Sequence, residues 1–214
     1  MLSLSIIQKI AIYVLPMIFA ITLHEAAHAF VANKYGDNTA KMLGRLSLNP
    51  LRHIDPIGTV LFPLIGIAFG GFIFGWAKPV PINFSRLHNP KPNLFWIACS
   101  GPSSNLVQAL IWGLILKLSI FIPGYFSMPL GLMAQAGISI NISLMLLNLL
   151  PILPLDGGRM LYSLLPNNLA NKYAKIEPYG MWILILLLLI GGLSFIIQPL
   201  YMVIVNAIFT LIQH

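Results

Sequence analysis

Charge is what this sequence has least of. Lys, Arg, Asp and Glu make up 8% of its 214 residues, against roughly 25% in an ordinary soluble domain. Hydrophobic residues fill 58%, so most of the chain must face something apolar. Acid is scarcer than base, with five Asp and Glu against twelve Lys and Arg. The basic residues are scattered between apolar runs and form no single face, which argues against a nucleic-acid partner and for membrane topology. A single cysteine, Cys99, excludes an internal disulfide framework and a cysteine metal cage. Polar linkers, repeats and low-complexity stretches are also missing, so one integral-membrane domain over 1–214 is expected.

What is present is apolar sequence in long runs, with a mean hydropathy of +0.87. The runs at 6–23, 57–74, 94–122, 130–150 and 181–197 are each near the roughly 17 to 25 residues that a helix needs to cross hydrocarbon. The expected fold is an all-α polytopic protein of the cell membrane, a bundle of about five to six transmembrane helices. A core is expected over 6–165, followed by a C-terminal helical hairpin over 176–213. Residues 1–23 resemble a signal peptide, with Ala27-His28-Ala29 as a small-residue cleavage site. That reading fails because the apolar character continues through those residues and cleavage there would cut the most informative motif in the chain.

That motif is His24-Glu25-Ala26-Ala27-His28. Four residues apart on a helix, the two imidazoles stand one turn above each other and can reach one ion. Zinc suits neutral imidazole, and the intervening Glu is placed to accept a proton from a metal-activated water. Composition alone supplies the pattern roughly once in a thousand such sequences. Lys and Arg are absent from residues 10–33, so Glu25 has no salt-bridge partner nearby in sequence, and an unpaired carboxylate in hydrocarbon is expensive.

A catalytic zinc has three protein ligands and an open position. Asp37 and Asp55 lie in polar connecting sequence, Glu177 sits at a helix entrance and Glu25 is already assigned. Asp156 remains as the third ligand. It follows an apolar run that Pro151 and Pro154 should break, which would turn a carboxylate inward. The bland alternative is an exposed Asp156-Gly157-Gly158 turn. His53 stays off the ligand set, because a lone loop histidine is more often structural.

His24-Glu25-x-x-His28 together with Leu155-Asp156-Gly157 resembles the site-2 protease family of intramembrane zinc metalloproteases. Ser100-Gly101-Pro102-Ser103-Ser104-Asn105 resembles that family's glycine-proline-asparagine helix entrance, and Asn148 with Pro151 resembles its Asn-Pro approach to the aspartate. The segments 36–50, 53–56 and 78–83 are similar to its short bacterial-type branch, and no PDZ or nucleotide-sensing module is expected in a chain of this length. The resemblance covers residues 20–165.

It implies Zn²⁺ as cofactor, Glu25 as general base and later proton donor, and a single-pass membrane protein as the substrate. It also implies that Asn105 and Asn148 hold the substrate backbone or its carbonyl oxygen; joining helix to helix is the alternative, less favoured for Asn148, which lies beside the break before Asp156. A substrate unwound in the membrane needs its freed amides satisfied. Residues 78–83, where Pro79 and Pro81 alternate with Val80 and Ile82, read as an edge strand for that purpose or as a rigid surface loop. The competing functional class is a membrane protein that binds or carries zinc without proteolysis. For both ligand sites to meet at one depth, the first helix and the helix from about Leu130 must run in the same direction. The run 57–74, with Pro63, Gly66, Gly70 and Gly71, is then expected to enter and return as a re-entrant or β-like segment.

Overall fold

The computed structural model describes residues 5–53, 55, 58, 61 and 78–213. The run 57–74 lies almost wholly outside them, so its expected re-entrant course does too. The described residues contain helices and no strand: α1 (Ile6–Lys34), α2 (Thr39–Met42), α3 (Pro90–Ser119), α4 (Ser127–Asn148), α5 (Asp156–Leu164), α6 (Asn167–Ala174), α7 (Glu177–Leu189) and α8 (Gly192–Gln213).

Among the described residues, three stretches are long and apolar enough to cross a membrane: Ile6–Lys34, Gly124–Asn148 and Gly192–Ile212. Helix α3 is longer still, at 30 residues. A stripe of polar residues from Ser100 to Gln108 lowers its hydropathy. The apolar run 181–197 is not one span. It turns at Gly191, whose φ of +73° is a conformation that glycine adopts without steric penalty, and so divides into α7 and α8.

Helix α1 begins with a capping box. Ser5 Oγ accepts from Gln8 N–H and the Gln8 side chain accepts from Ser5 N–H, which satisfies two of the donors that a helix start leaves free. Its buried face steps by four through Ile12, Pro16, Ala20, His24, His28 and Ala32, one ladder on one side of the helix. The motif histidines are therefore rungs of the packing face.

Contacts fix the helix directions. Ala20 C=O accepts from Asn105 and Gln108 while His28 meets Ile97 C=O, so α3 runs antiparallel to α1. Asn105 pairs with Asn141, Trp112 lies on Gly137, and Ser119 lies by Gly131. Helix α4 is thus antiparallel to α3 and parallel to α1, as the shared depth of the two ligand sites requires. Lipid gives no hydrophobic gain for joining helices, so close packing and interhelical hydrogen bonds carry the association. A side chain on Gly137 would overlap the Trp112 ring. Helix α8 adds Ile208 to the cluster of Ala109, Trp112, Ala134, Ile138, Ile142 and Met145.

Candidate metal centre

Helix α4 stops at Asn148 and α5 opens on Asp156. Pro151 and Pro154 lack the N–H that helix continuation needs, so the 149–155 loop between them is the expected break. It brings Asp156, 6% exposed, against α1. His24 Nε2 lies 3.1 Å and His28 Nε2 3.2 Å from Asp156 Oδ2, and the two Nε2 atoms are 3.1 Å apart.

The hydrogen-bond partners decide what these three atoms present to one another. Asn105 Nδ2 donates to Ala20 C=O at 3.2 Å and to Asn141 Oδ1 at 2.9 Å, which leaves Oδ1 facing His24 Nδ1 at 2.6 Å. That oxygen can only accept, so His24 Nδ1 carries a proton, and in the neutral imidazole Nε2 then holds the lone pair. His28 Nδ1 meets the Ile97 carbonyl at 2.7 Å and is protonated for the same reason. Asp156 Oδ2 is buried and accepts no hydrogen bond.

With both imidazoles neutral, three lone pairs thus converge on one point, an arrangement held together by a shared cation, a proton or a metal ion. Ligand distances of about 2.0 Å in a tetrahedral zinc site imply donor atoms about 3.3 Å apart, close to the separations found. Among the described residues this is the one group of three such side chains able to hold a metal ion. Helix α3 closes the back of the site at Gly101, where a Cβ would stand 2.5 Å from His28 Nε2 and 2.6 Å from His24 Nε2.

Glu25 is half-buried, and its Oε2 accepts the Val80 backbone N–H at 2.8 Å. The 78–83 segment is not a strand but a loop held rigidly by hydrogen bonds, as the second of the two readings of its sequence has it. Lys78 N–H donates to His53 C=O at 3.0 Å, Arg45 Nη1 to Pro79 C=O at 2.9 Å, and Asn83 N–H to Asp37 Oδ2 at 2.6 Å. Asp37, set aside in the sequence as connecting polarity, is fully buried. Burial opposes its charge, but hydrogen bonds from Thr39 and Asn83 and the nearby Arg86 outweigh that and hold its carboxyl below the ordinary range. His53 is also fully buried, with Nε2 donating to Ser47 C=O at 2.8 Å.

The remaining sequence candidates separate. Asn105 is fully buried behind His24, so its polar atoms serve α1 and α4. Asn148 donates Nδ2 to Leu144 C=O at 3.0 Å and stands outside the polar contacts of the cluster. The 100–105 segment is the middle of α3 and not a helix entrance. Sequence reasoning missed Asn141, which an amide inside the apolar run 130–150 could have signalled, and Ser100, whose Oγ lies 3.3 Å from His28 Nδ1. It also missed the Ile97 carbonyl, which leaves no residue signature.

The model of peptidase family M50 matches residues 126–191. A Bacillus subtilis protein named "Putative zinc metalloprotease YwhC" is 37% identical over 191 residues, which cover 87% of this chain and 84% of that protein. The chain belongs to peptidase family M50. Proteins named "Putative zinc metalloprotease Rip2" are also similar. The one from Mycolicibacterium smegmatis is 29% identical over 89% of this chain and 71% of its own length. The one from Mycobacterium tuberculosis H37Rv is 28% identical over 82% and 65%. No solved structure matches the chain. As an M50 peptidase the chain is a zinc metalloprotease of site-2 type with Zn²⁺ as its cofactor, and the lone pairs of His24, His28 and Asp156 fit that ion.

Proposed function

We propose that this M50 peptidase is a multi-pass protein of the cell membrane that hydrolyses peptide bonds within or beside transmembrane segments of other membrane proteins. One observation carries the reading: two of the three acceptor atoms, on His24 and His28, lie in the packed face of α1 with Glu25 between them in sequence, and α1 is itself apolar and long enough to cross the bilayer. A single-pass membrane protein is the substrate that such a site meets by lateral diffusion.

His24, His28 and Asp156 are the ligands in this reading. Bound there, zinc supplies a Lewis acid that acidifies water and polarises a carbonyl oxygen. Asn105 Oδ1 and Ile97 C=O hold the two imidazoles in the tautomer that binds metal. Glu25, with Oε2 held by Val80 N–H, accepts the proton of the attacking water on its other oxygen and returns it to the departing amine. The substrate lies unwound along residues 78–83, next to Glu25, where the main-chain groups not already engaged by His53, Glu25, Asp37 and Arg45 can pair with its freed amides. Asn148 at the end of α4 is a further contact for the substrate backbone.

The test is zinc content of the purified chain, measured beside cleavage of a single-pass membrane peptide in detergent or vesicles. One zinc per chain with cleavage supports the proposal, and His24→Ala, His28→Ala or Asp156→Ala should each lose both. Zinc without cleavage of any membrane peptide would favour a zinc-carrying protein instead.

A further inference from the structure

Two of the three acceptor atoms sit on one helix, which fixes their spacing; the third depends on a loop. The hydrogen bonds inside 149–155 are local, Ile152 N–H to Leu150 C=O at 2.8 Å and Leu155 N–H to Ile152 C=O at 2.9 Å. They shape the loop and say nothing about its distance from α1. Gly157 and Gly158 seat it on the first turn of α5, since a Cβ on Gly157 would overlap the Leu149 carbonyl and one on Gly158 would lie 2.5 Å from Leu153 N.

Two further contacts reach the loop from the C-terminal helices. Tyr173 of α6 donates its hydroxyl to Pro151 C=O at 3.0 Å. Burial pushes that phenol above its ordinary range, against the opposing effect of the Leu153 backbone N–H beside it. In α7, Gly180 is buried while its neighbours Tyr179, Met181 and Trp182 are exposed. A Cβ on Gly180 would overlap the Leu153 carbonyl oxygen and press on the Pro154 ring. The α7 backbone therefore lies directly against the loop, in a contact that no other residue type can make without moving one of them.

We propose that Tyr173 and Gly180 are positioning residues for the metal: α6 and α7 brace the 149–155 loop and so set the place of Asp156 relative to His24 and His28. The inference rests on Asp156 being the third ligand. Metal sites accept ligand distances only within about 0.2 Å of their ideal values, so a brace that shifts the loop by a fraction of an ångström changes affinity. Helices distant from the histidine motif thereby become part of the metal centre.

The experiment is zinc affinity of the full-length purified protein, by competition with a chromophoric chelator, together with the visible absorption of the Co²⁺-substituted protein. Tyr173→Phe removes one hydroxyl and little volume, and should weaken zinc binding several-fold with helix content unchanged. Gly180→Ala should weaken it by about 10- to 100-fold, the range for lost support of a ligand, and reduce the Co²⁺ absorption. Asp156→Glu should recover part of that loss in the Gly180→Ala background while weakening binding on its own, because the longer carboxylate spans the displaced loop. A general packing defect would show no such rescue. Wild-type affinity in both Tyr173→Phe and Gly180→Ala overturns the brace; if Gly180→Ala does not fold, Tyr173→Phe decides alone. Undiminished zinc binding in Asp156→Ala would instead overturn the ligand assignment, and the brace with it.

Discussion

The Val80 backbone N–H and Glu25 Oε2 lie 2.8 Å apart across 55 residues of sequence. A main-chain donor aims the carboxylate, so no ordinary side-chain substitution at position 80 removes it. Glu25→Gln keeps an oxygen able to accept the same N–H, and the segment should stay in place. The amide cannot take a proton from water, and general-base catalysis contributes about 10²- to 10⁴-fold. The variant should retain one zinc per chain and lose that factor in turnover. Normal turnover with zinc bound would remove Glu25 from the role of base.

Asn105→Ala separates support of a ligand from contact with the substrate. Truncation leaves His24 Nδ1 and Asn141 Oδ1 without their buried partner, while Ala20 C=O keeps Gln108, a destabilisation of about 1–3 kcal/mol. Zinc affinity should fall about 10- to 100-fold. Unchanged zinc affinity with a raised KM would return Asn105 to substrate binding.

Gly101→Ala tests the clearance behind the histidines. The added methyl would stand 2.5 Å from His28 Nε2, where an imidazole holding zinc as proposed could not yield without leaving the metal. Far-UV circular dichroism should change little while zinc retention through gel filtration is lost. A variant that holds zinc as the parent does would show that α3 and α1 can separate at this point.

Asp37 should make the protein sensitive to acid. Its folded-state pKa lies below the unfolded value of about 4. The stability it contributes is complete above that value and is lost as pH falls through the depressed one. Thermal unfolding in detergent should therefore show a midpoint that drops more steeply below pH 4 in the parent than in Asp37→Asn. The variant should also unfold earlier at pH 7, having lost the full acceptor strength holding Asn83 and Thr39. Parallel curves would assign the acid sensitivity elsewhere.

The sequence made the chemistry more legible than the path of the chain. His24, His28 and Asp156 were readable because each is a costly group in apolar sequence, and the helical repeat and the prolines at 151 and 154 said how they could turn inward. The split of 181–197 was not, since Gly191-Gly192 in an apolar run fits a packed span as well as a turn. For Asn105 the sequence left substrate contact and helix joining both open, because spacing cannot distinguish an amide that faces a cleft from one that faces a histidine ring, and in the structure its polar atoms meet His24, Ala20 and Asn141. The anchoring of 78–83 depends on backbone donors meeting Asp37 and Glu25 from far away in sequence. No pattern of side chains encodes that.

The line His24–Asn105–Asn141 crosses α1, α3 and α4 and ends on the Gly137 carbonyl. A helix climbs 1.5 Å per residue, so slippage of any one of the three by a single residue would break at least one of these hydrogen bonds in a medium with no water to replace it. The three helices are therefore pinned at a common height and must meet a thicker or thinner bilayer as one rigid stave, by tilting together. The depth of the metal centre is then set by that tilt and cannot be adjusted by sliding.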